Sequence, residues 1–384
     1  MVSFKVAMKT LKKAFTITSG LVKREIDYYR LRPTNLLLFL TYRCTSRCNT
    51  CTMWQRKTQE SELSLEEWKS FIDSVAASYK IKNVEMFGGD ALLRKDVLLP
   101  LTAYIRKKTS AEVDLITNCN LMDESTARSL VDSGINVIAV SLDGVGQTHD
   151  KVRGFEGSFS NVEKGITHLL KARGSKKKPV IVANCTVSSL NVDSFEKVLD
   201  FAQHAGVDDL AFEYVGEFPQ GCLSHSRVNG IQPQPYFLGH DPSLLLNTQQ
   251  AMLLKNKIRD IKDTRKKYSV RIVTRNIDVL GLRELTSGCF PNKKCYICRY
   301  LITVDPFGNI IPCPFFNNYH LGKVPESPCN AVWGNQRHRQ FIHAADTGKI
   351  AMCKYCILGV ERNATILQEI QQSYLTYRDR AIDE

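Results

Sequence analysis

The sequence has no long uninterrupted run of apolar residues. None of its 384 residues belongs to a stretch approaching the roughly 20 consecutive apolar side chains that a membrane-spanning helix needs. The first residues are interrupted by Lys5, Lys9, Lys12 and Lys13, so they lack the continuous apolar segment of a secretory signal peptide. We therefore expect a cytoplasmic protein.

The composition also lacks the biases that mark disordered or fibrous chains. Hydrophobic residues make up 43% and charged residues 24% of the chain, and it contains no low-complexity tract and no internal repeat beyond simple alternation. These values exclude a disordered, collagen-like or disulfide-stabilised small protein. The length favours one large domain accompanied by a smaller one.

What the chain does have is cysteine and positive charge: 13 cysteines, and 52 Lys and Arg against 39 Asp and Glu. In a reducing compartment, cysteines are more typical of metal ligands or reactive thiols than of disulfides. Ten of them form two groups more than 230 residues apart, which are Cys44, Cys48 and Cys51, and then Cys289, Cys295, Cys298, Cys313, Cys329, Cys353 and Cys356. Two groups so far apart predict two metal sites on two structural units.

Between the two groups, the hydrophobic pattern alternates between strand and helix. Strands are predicted at residues 36–41, 83–87, 113–117, 135–142, 180–187 and 210–215, and helices at residues 64–79, 96–108, 123–131, 160–172 and 193–204. Ser64 and Glu67 have the spacing of a capping box at the start of the first helix. This alternation predicts an α/β fold, a partial (βα)6 TIM-like barrel with its functional groups at the C-terminal strand ends. A doubly wound open sheet fits the same periodicity.

The regular alternation ends at residue 215. Residues 216–247 contain four prolines, which indicates a long loop, and a basic helix is expected from residue 248 to about residue 267. We assign residues 35–215 to the barrel core and residues 216–288 to a linker that includes this helix. Residues 289–360 are assigned to a small cysteine-rich α+β domain and residues 361–384 to a C-terminal helix.

The N-terminal cysteines have the spacing CxxxCxxC directly after the first predicted strand. Three thiolates on one short loop can hold three irons of a [4Fe–4S] cluster, which usually takes four cysteine ligands. The missing fourth ligand leaves one iron open to a substrate or cofactor. A zinc site would need a fourth Cys or His close by, but the next Cys after Cys51 is Cys119 and the first His is His149.

This loop and the motifs downstream of it resemble the radical SAM superfamily. One motif resembles the family's GGE, another its TNG, and two more follow at the end of the fourth strand and beyond it. In chain order these are Gly88-Gly89-Asp90, Thr117-Asn118, Ser141-Leu142-Asp143 and Arg153-Gly154. Each motif is weak alone, but their order at successive strand ends is specific, and the resemblance covers roughly residues 35–215.

The resemblance implies that Cys44, Cys48 and Cys51 bind a [4Fe–4S] cluster whose open iron chelates S-adenosylmethionine (SAM). One electron would then cleave SAM to a 5′-deoxyadenosyl radical. By the same resemblance, Gly88, Gly89 and Asp90 contact the amino group of SAM, and Ser141 and Arg153 hold its carboxylate and ribose. Asn118 and Asp143 complete the expected cofactor site.

Three positions depart from the family's pattern. Thr50 stands where the family has an aromatic residue before the third cysteine, Asp90 replaces a glutamate, and Cys119 replaces the glycine of TNG. We expect the shorter Asp90 to keep its carboxylate–ammonium contact. Cys119 is expected to be a packed thiol and not a ligand.

The C-terminal cysteines resemble the SPASM or twitch extension of the same family, which holds an auxiliary iron–sulfur cluster. Residues 303–312 predict a hairpin between Cys298 and Cys313, and Gly308 satisfies the Gly-x4-Cys spacing. Cys353 and Cys356 form a CxxC pair. Because no cysteine follows Cys356, one auxiliary [4Fe–4S] cluster is expected.

The ligands of this auxiliary cluster are expected to be Cys313, Cys353 and Cys356 together with Cys298 or Cys295, with Cys289 as a further candidate. The competing hypothesis is a structural zinc ribbon, built from Cys295, Cys298, Cys353 and Cys356.

Much of the positive charge lies near the N-terminus. Residues 1–32 contain eight Lys and Arg against two acidic residues, and apolar side chains from Phe4 to Val22 follow one helical face. We predict a basic amphipathic helix within residues 1–34. Packing of its apolar face on the barrel is the preferred interpretation, and contact with an anionic membrane is the alternative.

Together these features predict a radical SAM enzyme that abstracts hydrogen from a substrate at the barrel mouth. Only about 35 residues precede the first strand, which favours a sugar-like or lipid-linked small molecule over a peptide. A peptide- or protein-modifying maturase is the alternative, and a zinc-stabilised nucleic-acid-binding protein is a more remote one. A flavodoxin or ferredoxin is the expected reductant, nucleic acid is not an expected partner, and Glu213 and Tyr214 are positional candidates for a general base.

Overall fold

The computed structural model describes residues 19–20, 22–24, 26–56, 60–236, 242–291 and 295–360. The described residues from 19 to 29 are helical. Most of the predicted N-terminal helix, and the whole predicted C-terminal helix of residues 361–384, lie outside this part of the chain.

Seven parallel strands follow one another across the sheet in chain order. They are β1 (Asn35–Thr41), β2 (Asn83–Gly88), β3 (Glu112–Thr117), β4 (Val137–Ser141), β5 (Val180–Val187), β6 (Asp209–Tyr214) and β7 (Arg271–Val273). Each pairs in parallel with the next. The six predicted strands are confirmed, and β7 is a seventh strand within the region predicted as a linker.

Helices connect successive strands of the barrel. They are α1 (Leu65–Ser78), α2 (Lys95–Lys108), α3 (Glu124–Asp132), α4 (Gln147–Arg153), α5 (Ser158–Arg173) and α6 (Phe195–Ala205). The predicted capping box is present, because Ser64 Oγ accepts from Glu67 N and Glu67 Oε2 accepts from Ser64 N. The short helix α4 was not predicted, since it buries only His149 and Val152 and so has no extended apolar periodicity.

The region after β6 contains α7 (Gln220–Ser224), α8 (Thr248–Asp263) and α9 (Leu282–Ser287). The predicted basic helix is therefore confirmed as α8, which Asn247 caps and which a 3-10 turn at Arg265–Lys267 follows.

The C-terminal part contains α10 (Ile297–Tyr300), β8 (Leu301–Val304), β9 (Asn309–Ile311), β10 (Gly322–Lys323), α11 (Cys329–Val332) and α12 (Gln336–Asp346). The predicted hairpin is confirmed as β8 and β9. Its turn is fixed by Asp305, whose Oδ1 accepts from the backbone N–H groups of Phe307 and Asn309.

This hairpin continues the barrel sheet. Strand β8 pairs in parallel with β1, with Asn35 opposite Leu301, and β9 and β10 follow as antiparallel strands. The ten-stranded sheet has β10 and β7 at its ends, so it forms a partial barrel. Because β8 and β1 are parallel, the C-terminal end of β8 lies at the same sheet edge as the loop of Cys44, Cys48 and Cys51.

Among the described residues, no helix combines the length and apolar character needed to cross a membrane.

Candidate functional site

The three N-terminal cysteines lie on the loop after β1, at the C-terminal edge of the sheet. Cys48 is buried, Cys44 and Cys51 are partly buried, and all three are free thiols. Each sulfur accepts a hydrogen bond. The donors are Ser46 N (3.4 Å) and Asn118 Nδ2 (3.6 Å) to Cys44, Arg153 Nη1 (3.8 Å) to Cys48, and Met53 N (3.4 Å) to Cys51. Donors around sulfur favour the thiolate, which is the form that binds iron.

Burial acts against this ionisation when no metal is bound. It raises the pKa of Cys44 to about 11 and that of Cys51 to about 12. Iron binding must therefore displace protons from both thiols. The donors to each sulfur, together with the Arg153 charge, offset part of this cost.

The Gly88-Gly89 pair holds the end of β2 against the start of the cysteine loop. Gly89 N donates to Thr41 O and Asp90 N donates to Arg43 O, each at a distance of 2.9 Å. A Cβ atom on Gly88 would lie 2.3 Å from Thr41 O, and one on Gly89 would lie 2.1 Å from Arg43 O. Any side chain at either position would displace the loop, so the glycines are required by this close backbone approach.

Asp90 places a buried carboxylate beside this loop. Its side chain is 1% exposed, and Oδ1 accepts from Leu92 N (3.2 Å) and Thr117 Oγ1 (3.0 Å). Its Oδ2 has no hydrogen-bond partner among the described residues. Burial raises the pKa of Asp90 to about 6. A buried carboxylate oxygen without a protein donor fits a ligand ammonium group, as the expected contact with SAM requires.

Asn118 braces the cysteine loop from the end of β3. Its Nδ2 reaches Thr45 Oγ1 and Ser46 Oγ, each over 3.1 Å, in addition to Cys44. Asn120 Nδ2 repeats the same two contacts at 3.0 and 3.1 Å. Between these residues, Cys119 is 1% exposed and faces Gly165, so it is a packed thiol as expected.

The C-terminal end of α4 supports the opposite side of the loop. Arg47 N donates to Arg153 O (2.9 Å) and Asn49 N to Val152 O (3.0 Å). Gly154 then adopts a left-handed conformation (φ 57°), and a Cβ atom there would lie 2.3 Å from Arg47 O. The Arg153-Gly154 motif is thus a helix end fitted against the cysteine loop.

The Arg153 side chain points to the same loop. Its Nη2 lies 2.7 Å from Asp143 Oδ2, and Asp143 Oδ1 accepts from Thr186 N over 2.8 Å. Although burial lowers the pKa of Arg153, the neighbouring Asp143 and Cys48 raise it above its ordinary value, so the guanidinium stays charged. The expected site residues Asp143 and Arg153 are therefore bonded to each other.

Ser141 ends β4 and lies in register with Asn184 of β5. Asn184 Oδ1 is buried and has no hydrogen-bond partner within the described ranges. Asn184 is not among the site residues predicted from the sequence. A polar amide inside an otherwise apolar strand pattern is the signal that points to it.

The two positional candidates for a general base differ in their surroundings. The hydroxyl of Tyr214 donates to Leu285 O and accepts from Leu246 N (3.0 Å), and burial raises its pKa. It therefore fixes the loops after β6 and is not available as a base. Glu213 is partly buried, while Glu217, which the sequence analysis missed, is buried beyond the end of β6.

Five C-terminal cysteines come together in a second group. Burial raises the pKa of Cys313, and the nearby Cys356, Cys295 and Cys353 raise it further. Burial, Cys295 and Cys353 likewise raise the pKa of Cys298. Cys329 lies elsewhere, with its N–H bonded to Ser74 Oγ of α1 (2.8 Å). In the described chain, no three His, Cys, Asp or Glu side chains converge on the position of a single metal ion.

A segment of the predicted long loop connects the two cysteine groups. We call residues 226–236 the strap. At one end Tyr236 O accepts from Thr52 N (2.7 Å), and at the other Ser226 Oγ accepts from Met352 N (2.7 Å). Burial raises the pKa of Tyr236, and Cys51 and Cys313 raise it further, so its ring lies near both groups.

Two family models match this chain, and each covers one of the two cysteine groups. A family model described as the radical SAM superfamily matches residues 38–202, and one described as an iron–sulfur cluster-binding domain, SPASM, matches residues 295–357. The chain is 32% identical over 339 residues to the Fe-coproporphyrin III synthase of Methanosarcina barkeri, covering 82% of this chain and 79% of that relative. The AdoMet-dependent heme synthase of the same organism is 26% identical over 344 residues, covering 84% and 90%.

Solved structures show the same fold. The chain superimposes on anSMEcpe with bound AdoMet with a TM-score of 0.63 at 18% identity, covering 92% of this chain and 96% of that one. Streptococcus suis SuiB bound to the precursor peptide SuiA gives a TM-score of 0.62 at 13% identity, covering 90% and 76%. The partial barrel, its cysteine loop and the relatives that match most of the chain lead to the same conclusion. The chain belongs to the radical SAM superfamily, with a SAM-binding [4Fe–4S] cluster and a C-terminal SPASM iron–sulfur region.

Proposed function

We propose that this enzyme cleaves SAM at the cluster held by Cys44, Cys48 and Cys51 and abstracts hydrogen from a small molecule at the barrel mouth. The observation that carries the proposal is the arrangement at the loop, where every cysteine sulfur has an N–H donor and Asp90 Oδ2 is buried without one. The bound cluster and SAM supply the 5′-deoxyadenosyl radical.

The chain's own residues would bind and orient SAM. Asp90 Oδ2 is placed to accept from its ammonium group, while the Gly88-Gly89 backbone keeps strand and loop close enough for one ligand to touch both. Ser141 and the buried amide of Asn184, side by side on β4 and β5, are the polar groups assigned to its carboxylate and ribose. Asn118 holds Cys44 in place, so it would affect SAM binding indirectly, through the position of the loop.

For the auxiliary cluster we assign Cys295, Cys313, Cys353 and Cys356 as ligands. Each of the other three cysteines lies close enough to Cys313 for its negative charge to raise the pKa of Cys313. Cys298 sits beside this group on α10, where its carbonyl oxygen accepts from His338 Nε2 (2.7 Å). This hydrogen bond fixes the backbone of the turn that carries Cys298. We propose Cys295 as the fourth ligand because it is among the cysteines whose charge raises the pKa of Cys313.

The relatives that match most of the chain support a substrate class. Relatives named Fe-coproporphyrin III synthase, AdoMet-dependent heme synthase and pre-heme d1 synthase match 82%, 84% and 77% of it, whereas the GTP 3′,8-cyclases match about half. These names support a tetrapyrrole, a small molecule larger than the sugar-like substrate that the sequence favoured. Because SuiB and anSMEcpe structures contain bound peptides, a peptide substrate is the second candidate.

The test is SAM cleavage by the anaerobically reconstituted enzyme with dithionite. The wild type should form 5′-deoxyadenosine, and the triple variant Cys44→Ala, Cys48→Ala, Cys51→Ala should form none. Cys119→Ala, which removes a packed thiol, should keep the activity. Cleavage by the triple variant would refute the proposal. Stimulation by a tetrapyrrole carboxylic acid, tested with and without bound iron, supports the tetrapyrrole assignment, and stimulation only by a peptide overturns it.

We further propose that the N-terminal helix contacts an anionic membrane surface. Tyr28 packs against the rings of Tyr296 and Tyr300, at 5.2 and 5.1 Å between centroids. On the same helix, Val22 (46%), Ile26 (45%) and Tyr29 (61%) remain exposed and continue the apolar face predicted for residues 4–22. Together with the surrounding lysines and arginines, this stripe has the character of an interfacial helix.

A further inference from the structure

The guanidinium of Arg153 links the sulfur of Cys48 to a buried carboxylate. Its Nη1 lies 3.8 Å from Cys48 Sγ and its Nη2 lies 2.7 Å from Asp143 Oδ2. The side chain of Arg153 is 14% exposed and that of Asp143 is 1% exposed. Both terminal nitrogens are thus engaged by this chain itself.

Asp143 is held rigidly from several directions. Its Oδ1 accepts from Thr186 N (2.8 Å), its carbonyl oxygen accepts from Asn191 Nδ2 (2.9 Å), and its own N–H donates to His149 Nδ1 (3.1 Å). Arg153 is equally constrained, because its carbonyl oxygen accepts from Arg47 N at the end of α4. Neither residue can move away from the loop without breaking these bonds.

We propose that Arg153 and Asp143 form a charge pair that sets the reduction potential of the SAM-binding cluster. Arg153 acts through Cys48, and Asp143 positions the arginine and opposes part of its charge. The inference rests on the proposed function, since Cys48 must be a cluster ligand. It adds a role at the sulfur to the contact between Arg153 and SAM that the family resemblance implied.

The physical argument concerns the charge that the cluster gains. One electron from dithionite makes the cluster one unit more negative. A buried guanidinium that donates to a ligand sulfur stabilises this reduced form more than the oxidised form, which raises the potential. The carboxylate of Asp143 has the opposite effect. The two partners should therefore shift the potential in opposite directions when each is neutralised.

The experiment is an anaerobic titration with dithionite, followed by electron paramagnetic resonance and performed with and without SAM. The signal that changes on adding SAM identifies the cluster concerned. Arg153→Gln should lower the midpoint potential by about 59 mV. For a one-electron couple, this shift corresponds to a tenfold change in the ratio of reduced to oxidised cluster. Arg153→Lys should lower it less, because the positive charge remains. Asp143→Asn should raise it.

Two further variants separate this role from simple loss of structure. Arg173→Gln removes an arginine of similar side-chain exposure (13%) that pairs with Asp208 at the other edge of the sheet, and it should leave the potential unchanged. The double variant Asp143→Asn, Arg153→Gln leaves no unpaired buried charge, so it should return the potential towards that of the wild type.

The inference would be overturned if Arg153→Gln and Asp143→Asn shifted the midpoint potential in the same direction. It would also be overturned if neither shifted the potential more than Arg173→Gln does. The wild-type control distinguishes this from failure of the proposed function. If the wild type binds iron and forms 5′-deoxyadenosine while the potentials do not move, only the charge-pair inference fails. If the wild type shows no signal that responds to SAM, the proposed function fails with it.

Discussion

The backbone N–H of Thr52 donates to the carbonyl oxygen of Tyr236 over 2.7 Å. Thr52 follows Cys51, and Tyr236 ends the strap, whose first residue bonds to Met352 beside Cys353. Eleven residues therefore join two cysteine groups that are more than 230 residues apart in the sequence.

Arg56 is expected to hold this strap in place. Its Nη2 donates to Gln234 O (2.5 Å), and its guanidinium lies 4.9 Å from the ring centre of Tyr42 and 5.8 Å from that of Tyr236. Arg56→Met should speed hydrogen exchange at the Thr52 amide about tenfold, equivalent to about 1.4 kcal/mol for a charged hydrogen bond. Arg339→Met, an exposed arginine bonded to Gly334 O, should not. Unchanged exchange in Arg56→Met would show that the strap is held by other contacts.

Gly154→Ala should disrupt the SAM cluster through a steric clash. The new methyl group would meet Arg47 O, and the left-handed backbone adds strain of about 1–3 kcal/mol. Iron should fall from about eight to about four per chain, because only the auxiliary cluster would remain. Gly157→Ala is the matched control, since Gly157 is also left-handed (φ 79°, ψ 5°) but has no atom within 4 Å of the added methyl. Equal iron loss in both variants would contradict the clash.

Asp90→Asn should weaken SAM binding without loss of iron. The amide keeps the shape and the Oδ1 contacts of Asp90, but its Nδ2 replaces the acceptor that we propose for the SAM ammonium. We expect the Kd for SAM to rise at least about tenfold, measured by equilibrium dialysis. Asp123→Asn, at the exposed N-cap of α3, should bind SAM like the wild type. A wild-type Kd in Asp90→Asn would remove Asp90 from the site.

Cys295→Ser and Cys298→Ser should differ in iron content. If Cys295 completes the auxiliary cluster, its loss should lower iron by about four per chain, whereas Cys298→Ser should retain about eight. Iron and acid-labile sulfide assays with Mössbauer spectroscopy measure both. The reverse order would make Cys298 the ligand. Two zinc ions in place of iron in the wild type would instead support the zinc ribbon.

The double variant Val22→Asn, Ile26→Asn should abolish binding to anionic vesicles. Flotation with phosphatidylserine-containing vesicles should carry the wild type at low salt and release it as salt screens the basic side chains. Leu190→Asn alters a leucine of matched exposure (44%) away from this helix and should float like the wild type. Should the wild type fail to float at low salt, the exposed stripe does not contact lipid.

Elements with a local signal were predictable from the sequence. The capping box at Ser64 and Glu67, the turn at Asp305 and the apolar runs of β1 to β6 each depend on residues a few positions apart. Strand β7 and helix α4 were missed, because three and seven residues are too short to show a periodicity. Tyr214 was chosen for its position at a strand end, and its hydroxyl instead bonds to Leu285 and Leu246.

The sequence by itself determined the family of this protein, because the spacing of Cys44, Cys48 and Cys51 predicts a cluster with one open iron and the glycines mark where backbones must touch. Only the tertiary structure decided which groups act on that loop. Arg153 reaches Cys48 across 105 positions, and Tyr236 comes to lie near both Cys51 and Cys313. Such contacts depend on how strand ends and loops converge at one edge of the sheet, and no local spacing in the chain records that convergence.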